Sequence, residues 1–288
     1  HNLKMPVILA PIGSMQDFVD GAGTAPTLAA SEFGIMHMIS STCMPGLEEV
    51  AKSVNYPKLF QLYVRGDKDW VDNNIKSAMD YNYAGICLTV DLDAYGRRER
   101  DLAKRYRTTS RQSATGFEYQ MRFTWKDIDR IKSYCNSPII IKGIATKEDA
   151  LLAVEHGIEV VYVSNHGGRQ LDYGLGGLNV LPEISDAIGD NAKVIFDGGI
   201  LRGTDVVKAI ALGADCVGIG RLQGFAAAAG GAKAIVRMLE LLELEILTTL
   251  RLLGINSIFD LNKSFLSKDH SFGNFNALSA FPLIDEGY

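Results

Sequence analysis

A chain of 288 residues, 47% hydrophobic and 22% charged, has the composition of an ordinary water-soluble globular protein. Its 29 basic and 34 acidic residues leave a formal charge of −5, which argues against a nucleic-acid surface, and no apolar run is long enough to span a bilayer. The cysteines Cys43, Cys87, Cys135 and Cys216 form no CxxC pair, so neither a zinc site nor a redox motif is indicated, and a cytoplasmic setting is expected.

No leader with a basic start and an apolar middle is visible, and the chain enters its first apolar strand by Val7 after starting at His1. A native N-terminal segment is therefore expected to be missing. In chain order the β-rich runs are Pro6–Ala10, Ile35–Ser40, Lys58–Val64, Gly85–Val90, Ile139–Gly143, Val160–Ser164, Lys193–Asp197 and Asp215–Gly220. All are continuously apolar rather than alternating, the pattern of parallel strands covered on both faces. Helical periodicity lies between them at Asp69–Tyr81, Thr146–His156, Leu181–Ile188 and Thr204–Leu212, and an amphipathic helix follows at Met238–Leu253. The tail Asn262–Tyr288 has little periodicity. Eight βα units predict an α/β fold, a (β/α)8 TIM barrel in a single domain over residues 1–288, with a doubly wound open sheet as the competitor.

In such a barrel the chemistry sits where strands end. Every expected strand delivers small or polar groups there: Pro11, Ile12 and Gly13 after the first, Ser40 after the second, Gln61 and Tyr63 on the third, Thr89 and Asp91 at the fourth. Lys142 ends the fifth, Ser164 the sixth, Asp197-Gly198-Gly199 the seventh and Gly220-Arg221 the eighth. The richest stretch is Ser164-Asn165-His166-Gly167-Gly168-Arg169-Gln170. Its imidazole can exchange a proton near neutral pH, its guanidinium can hold a carboxylate through two parallel bonds, and two glycines let the backbone turn between them. The glycine turns after strands seven and eight, with Arg221, suit a phosphate. Lys142 could be a Schiff-base nucleophile, a salt-bridge partner or a cation beside an electron-accepting ring. His1, His37, His156 and His270 read as ordinary histidines, and Arg97-Arg98-Glu99-Arg100-Asp101 by itself as a solvated charge cluster. No residue set suggests a metal.

The Ser164–Gln170 stretch resembles the signature of the FMN-dependent 2-hydroxy-acid oxidases and dehydrogenases, the family of glycolate oxidase, lactate oxidase and mandelate dehydrogenase. The resemblance runs through Phe60-Gln61-Leu62-Tyr63, Leu88-Thr89-Val90-Asp91, Gly96-Arg97-Arg98-Glu99, Ile141-Lys142-Gly143, Asp197-Gly198-Gly199 and Gly220-Arg221. It implies oxidation of an L-2-hydroxy acid to the 2-keto acid at an FMN on the barrel rim. Pro11, Ile12 and Gly13, with Ser40, Gln61 and Thr89, would meet the ring, and Lys142 would stand at its N1–C2 edge. Ser164 would contact the ring edge or ribityl chain, Asp197 the ribityl hydroxyls, and Gly199, Gly220 and Arg221 the phosphate. His166 would be the base and Asp91 its partner. Arg169 would clamp the substrate carboxylate, Tyr63 would bond the substrate oxygen, and Arg98 would add positive charge. Oxygen or another oxidant would take the electrons, and a homo-oligomer, a tetramer in many members, is implied.

Four departures from the family pattern stand out. A tyrosine that shares the carboxylate clamp lies in the family before strand one and has no counterpart here. Leu201 stands where the family has the first of two arginines, leaving Arg202 alone. The stretch between Tyr106 and Trp125 is short for the family's mobile loop, and Gly13 replaces a common alanine. Two alternatives remain at this stage: a flavin barrel of other chemistry, such as isopentenyl diphosphate isomerase, and a catalytically impaired binding or scaffold member. The carboxylate clamp argues against the first.

Overall fold

Eight short parallel strands close on themselves in sequence order, the first pairing with the eighth. The structure, a computed structural model, describes residues 2–267. The strands are β1 (Val7–Leu9), β2 (Met36–Ser40), β3 (Leu59–Leu62), β4 (Gly85–Thr89), β5 (Ile139–Ile144), β6 (Val160–Val163), β7 (Lys193–Asp197) and β8 (Cys216–Ile219). The expected barrel is thus the observed one. Most strands are a residue or two shorter than their apolar runs, because the ladder ends before hydrophobicity does. β5 is longer: it continues past Gly143 (φ 107°) to Ile144 through a shift in register against β6.

Side chains alternate between the barrel interior and its outer wall. Outward residues such as Leu9, Ile39, Phe60, Leu88, Ile141, Val161, Phe196 and Val217 pack under the helices in the main core. Inward residues Ile8, Met38, Leu59, Cys87, Ile140, Tyr162 and Ile195 fill the interior as a separate apolar plug. Two residues further along each strand, the same inward phase reaches Ser40, Gln61, Thr89, Lys142, Ser164 and Asp197. The polar layer at the rim is therefore set by the strand period, one step above the plug.

The helices are α1 (Thr24–Phe33), α2 (Leu47–Ser53), α3 (Lys68–Asp80), α4 (Glu99–Ala103), α5 (Thr109–Gln112), α6 (Phe117–Met121), α7 (Trp125–Lys132), α8 (Lys147–Glu155), α9 (Gly177–Ile188), α10 (Gly203–Ala211) and α11 (Arg221–Leu253). Local signals start several of them. The Asp67 carboxylate accepts from Trp70 N ahead of α3, and the Thr146 hydroxyl from Asp149 N ahead of α8. α9 begins four residues before the expected Leu181, and Pro182 sits within it.

The expected helix Met238–Leu253 is the far part of α11, which starts at Arg221 and breaks at Gly230 and Gly231. Gly231 (φ 59°, ψ −143°) adopts a conformation that belongs essentially to glycine. After the break Ile235, Met238, Leu239, Leu242, Ile246 and Leu250 face the core, while Leu241, Leu244 and Leu247 are exposed. Among the described residues no helix is long and apolar enough to cross a membrane, and no cluster suits a metal ion. All four cysteines are free thiols. The reading of Asn262–Tyr288 as an aperiodic tail falls largely outside the described residues, as do His1 and His270.

Candidate active site

Lys142, Ser164 and Asp197 lock together at the centre of the rim. Lys142 Nζ donates to Ser164 Oγ at 2.8 Å and pairs with Asp197 Oδ2 at 3.3 Å, and Ser164 Oγ donates to Asp197 Oδ1 at 2.6 Å. Burial alone would lower the Lys142 pKa, but the Asp197 and Asp91 carboxylates outweigh it and hold the ammonium above its usual range. Lys142 is therefore a fixed cation, and the Schiff-base reading, which needs a neutral amine, loses its footing. Ser164 Oγ also accepts from His166 N at 3.1 Å, so the serine fixes the loop that carries the imidazole.

His166 sits in the left-handed region (φ 58°), a conformation that costs a non-glycine residue about 1–3 kcal/mol. Its Nδ1 lies 2.9 Å from Asp91 Oδ1 and its Nε2 lies 3.4 Å from the Tyr63 hydroxyl. The two rings are inclined by 29°, with centroids 6.3 Å apart. Burial would raise the Asp91 pKa, but the bond to His166 and the His166 and Lys142 charges bring it below the usual carboxylate value. Burial, reinforced by the Asp91 charge, pushes the Tyr63 phenol well up, so it remains a donor. Gly143 is needed here: a Cβ on it would lie 2.7 Å from Asp91 Cβ and Cγ.

Arg98, Arg169 and Arg111 gather beside this pair. The Gln170 amide, which donates to the carbonyls of Asp91 and Ala94, brings its Oε1 to 3.5 Å from Arg98 Nη2. Arg98 and Arg111 both lie over the Tyr95 ring, at 5.4 and 4.8 Å from its centroid. Arg98 therefore turns inward to this cluster despite its place in a charged run, whereas Arg97 is exposed and paired with Glu99. Arg111 and Tyr95 had no motif to mark them. Arg111 comes from the short segment after β4, which is folded, not open: Ser110 N donates to Ser14 Oγ at 3.0 Å and Thr109 N to Asp17 Oδ2 at 2.8 Å.

The cofactor half of the rim fits a flavin mononucleotide. Gln61 Nε2 donates to Thr89 Oγ1 at 2.9 Å, which leaves its buried Oε1 without a partner, an acceptor suited to a flavin ring N–H. Ser40 is buried beside Thr42, its hydroxyl 3.0 Å from Thr42 Oγ1, and Pro11, Ile12 and Gly13 form the half-buried loop after β1. A Cβ on Gly13 would run into the Thr42 hydroxyl, which would have to turn aside. Gly199 and Gly220 border open space, and Gly220 caps α11, whose first turn presents backbone N–H groups. Arg221 Nη2 reaches Gly167 O at 3.4 Å, so the start of α11 adjoins the His166 loop. Arg202 Nε is bonded to both Glu245 carboxylate oxygens, at 2.9 and 3.1 Å, and ties α10 to α11. Gln223 is fully buried under the β1 and β8 exits, unmarked by any motif.

Residues 1–268 match the family described as FMN-dependent dehydrogenase. The chain is 33% identical over 289 residues to a peroxisomal (S)-2-hydroxyacid oxidase of Arabidopsis thaliana, an alignment that takes in 94% of this chain and 80% of the relative. It is 35% identical over 292 residues to an L-lactate oxidase of a Nostoc species, covering 92% and 80%. A mandelate oxidase solved with benzoylformic acid superposes with a TM-score of 0.83 at 33% identity, over 89% of this chain and 76% of that one.

Proposed function

The chain belongs to the FMN-dependent dehydrogenase family, and we propose that it oxidises an L-2-hydroxy acid to the 2-keto acid with His166 as the base. The observation that carries this reading is the imidazole held between Asp91 and Tyr63. If Nδ1 donates to Asp91, Nε2 is left free to accept, facing the Tyr63 phenol that would bond the substrate oxygen. Arg169 would hold the substrate carboxylate and orient the C2 carbon, and Arg98 would add positive charge over the site. His166 takes one proton from the substrate, from the hydroxyl or from C2, and Asp91 stabilises the imidazolium that forms. The substrate leaves as the keto acid, having lost two electrons and two protons in all.

Bound FMN supplies the two-electron acceptor. Pro11, Ile12, Gly13, Ser40, Gln61 and Thr89 would hold its ring, Lys142 would balance charge at the ring edge, and Ser164 and Asp197 would meet the ribityl chain. Gly199, Gly220 and Arg221 would take the phosphate. Molecular oxygen is the proposed terminal oxidant. The exposed leucines of α11 support a homo-oligomer, a tetramer in this reading, and four free thiols support a reducing, cytoplasmic setting.

The test is anaerobic bleaching of the FMN protein with L-lactate, glycolate and L-mandelate, followed by oxygen. Wild type should bleach with at least one acid and recolour in air, and His166→Gln should bind FMN but bleach about a hundredfold or more slowly. Equal bleaching by His166→Gln would remove the base.

A further inference from the structure

One carboxylate oxygen, Asp101 Oδ2, lies between two guanidiniums: 3.4 Å from Arg111 Nη1 and 3.7 Å from Arg169 Nη2. Well-formed charge-assisted bonds of this kind are about 2.7–2.9 Å, so both arms hold Asp101 loosely. A third guanidinium stands close by. Burial, then the charges of Arg169 and Arg111, push the Arg98 pKa below its usual value, and Arg98 Nε is buried without a partner. Three arginines thus gather around a single loosely held carboxylate. Arg111 is no stray surface residue: its side chain is only 17% exposed, and α5, which bears it, is pinned to the loop after β1 through Ser14 and Asp17.

We propose that Arg111 is a substrate-binding residue, the second arm of the carboxylate clamp opposite Arg169, and that the Asp101 carboxylate occupies the clamp until a 2-hydroxy acid displaces it. This rests on the oxidation of a 2-hydroxy acid proposed above. The internal carboxylate marks where the substrate's own is received. Because the arm belongs to the segment after β4, the clamp is complete only while that segment is docked on the β1 loop. The two partners of the Arg111–Asp101 pair then have opposite effects on affinity: one attracts the ligand, the other competes with it.

The experiment titrates the oxidised FMN protein with pyruvate and with benzoylformate, read by the flavin absorbance difference, without turnover. Arg111→Met should weaken binding by about tenfold or more, and Asp101→Asn should tighten it by about threefold or more. A pair that merely fastened the segment would weaken binding in both variants. Unchanged affinity in Arg111→Met, or weakening in Asp101→Asn, overturns the proposal. Should Arg111→Met lose FMN, Arg111→Lys, which keeps the charge without the planar fork, is expected to bind several-fold more weakly than wild type; unchanged affinity there overturns it equally. Wild type that binds neither keto acid overturns the hydroxy-acid reading, and this inference falls with it.

Discussion

Asp91 Oδ1 meets His166 Nδ1 at 2.9 Å, and Gly143 leaves the room that the Asp91 side chain occupies. The carboxylate comes from the exit of β4 and the imidazole from the exit of β6, with β5 between them, so a side chain at position 143 would press against Asp91. Asp91→Asn should retain FMN yet slow its anaerobic reduction by about 10²–10⁴-fold, since an amide cannot stabilise the imidazolium. Stopped-flow absorbance at saturating 2-hydroxy acid reads this directly.

Gly143→Ala should produce the same slow reduction without touching either partner. Its φ of 107° disfavours any side chain, and the new methyl would push Asp91 away. Reduction slowed by less than about threefold would show that the Asp91–His166 distance is not critical.

Lys142→Met should make the two-electron potential of bound FMN more negative by about 50 mV or more, as about 30 mV corresponds to 1.4 kcal/mol for two electrons. Its ammonium, kept charged by Asp197 and Asp91, stands ready to offset the negative charge of reduced flavin. Equilibration with a redox dye measures the shift.

His37, on β2, gives the fold a defined sensitivity to acid. Thr27 Oγ1 donates to Gly23 O, so the hydrogen between Thr27 and His37 Nδ1 belongs to the imidazole, and Nε2 is buried with no partner. Burial lowers the His37 pKa to about 3. The folded value lies below the unfolded one of 6.5, so the unfolded chain takes up the proton first. Stability from the neutral ring is full above pH 6.5 and erodes as the pH falls towards 3. In urea unfolding, wild type should lose about 1.4 kcal/mol per pH unit relative to His37→Gln across that window; parallel curves would refute it.

Gly218→Ala should destabilise the barrel by about 1–3 kcal/mol, because its methyl would run into the hydroxyl of the fully buried Tyr162. Tyr162→Phe in the same chain should recover part of the loss. A chemical-denaturation cycle over the two single variants and the double reads the coupling.

The barrel and the His166–Asp91–Lys142 group were legible because parallel buried strands are written as continuous apolar runs, and their polar exits stand out against that background. The roles of Ser164 as the pivot beneath His166 and of Gly143 as the gap for Asp91 were not. Both depend on which residues meet across strands, which a single chain does not display. Arg98 was legible only through family resemblance, since an arginine within Arg97–Asp101 looks like solvated charge. Arg111 had neither motif nor strand end to mark it; its burial comes from the docking of α5 on Ser14 and Asp17. The break at Gly230 and Gly231 was hidden because leucine periodicity resumes undisturbed after it.

The alternation of plug and rim residues makes the strands share a phase. A substitution at Gln61, Lys142 or Asp197 changes one contact. A single inserted residue within β5, upstream of Lys142, would instead rotate everything after it by half a period, turning the lysine towards the helices and an isoleucine towards the rim. Diversification of this barrel is therefore channelled into two places, point changes at the rim and length changes in the loops, with strand length itself the quantity that cannot drift.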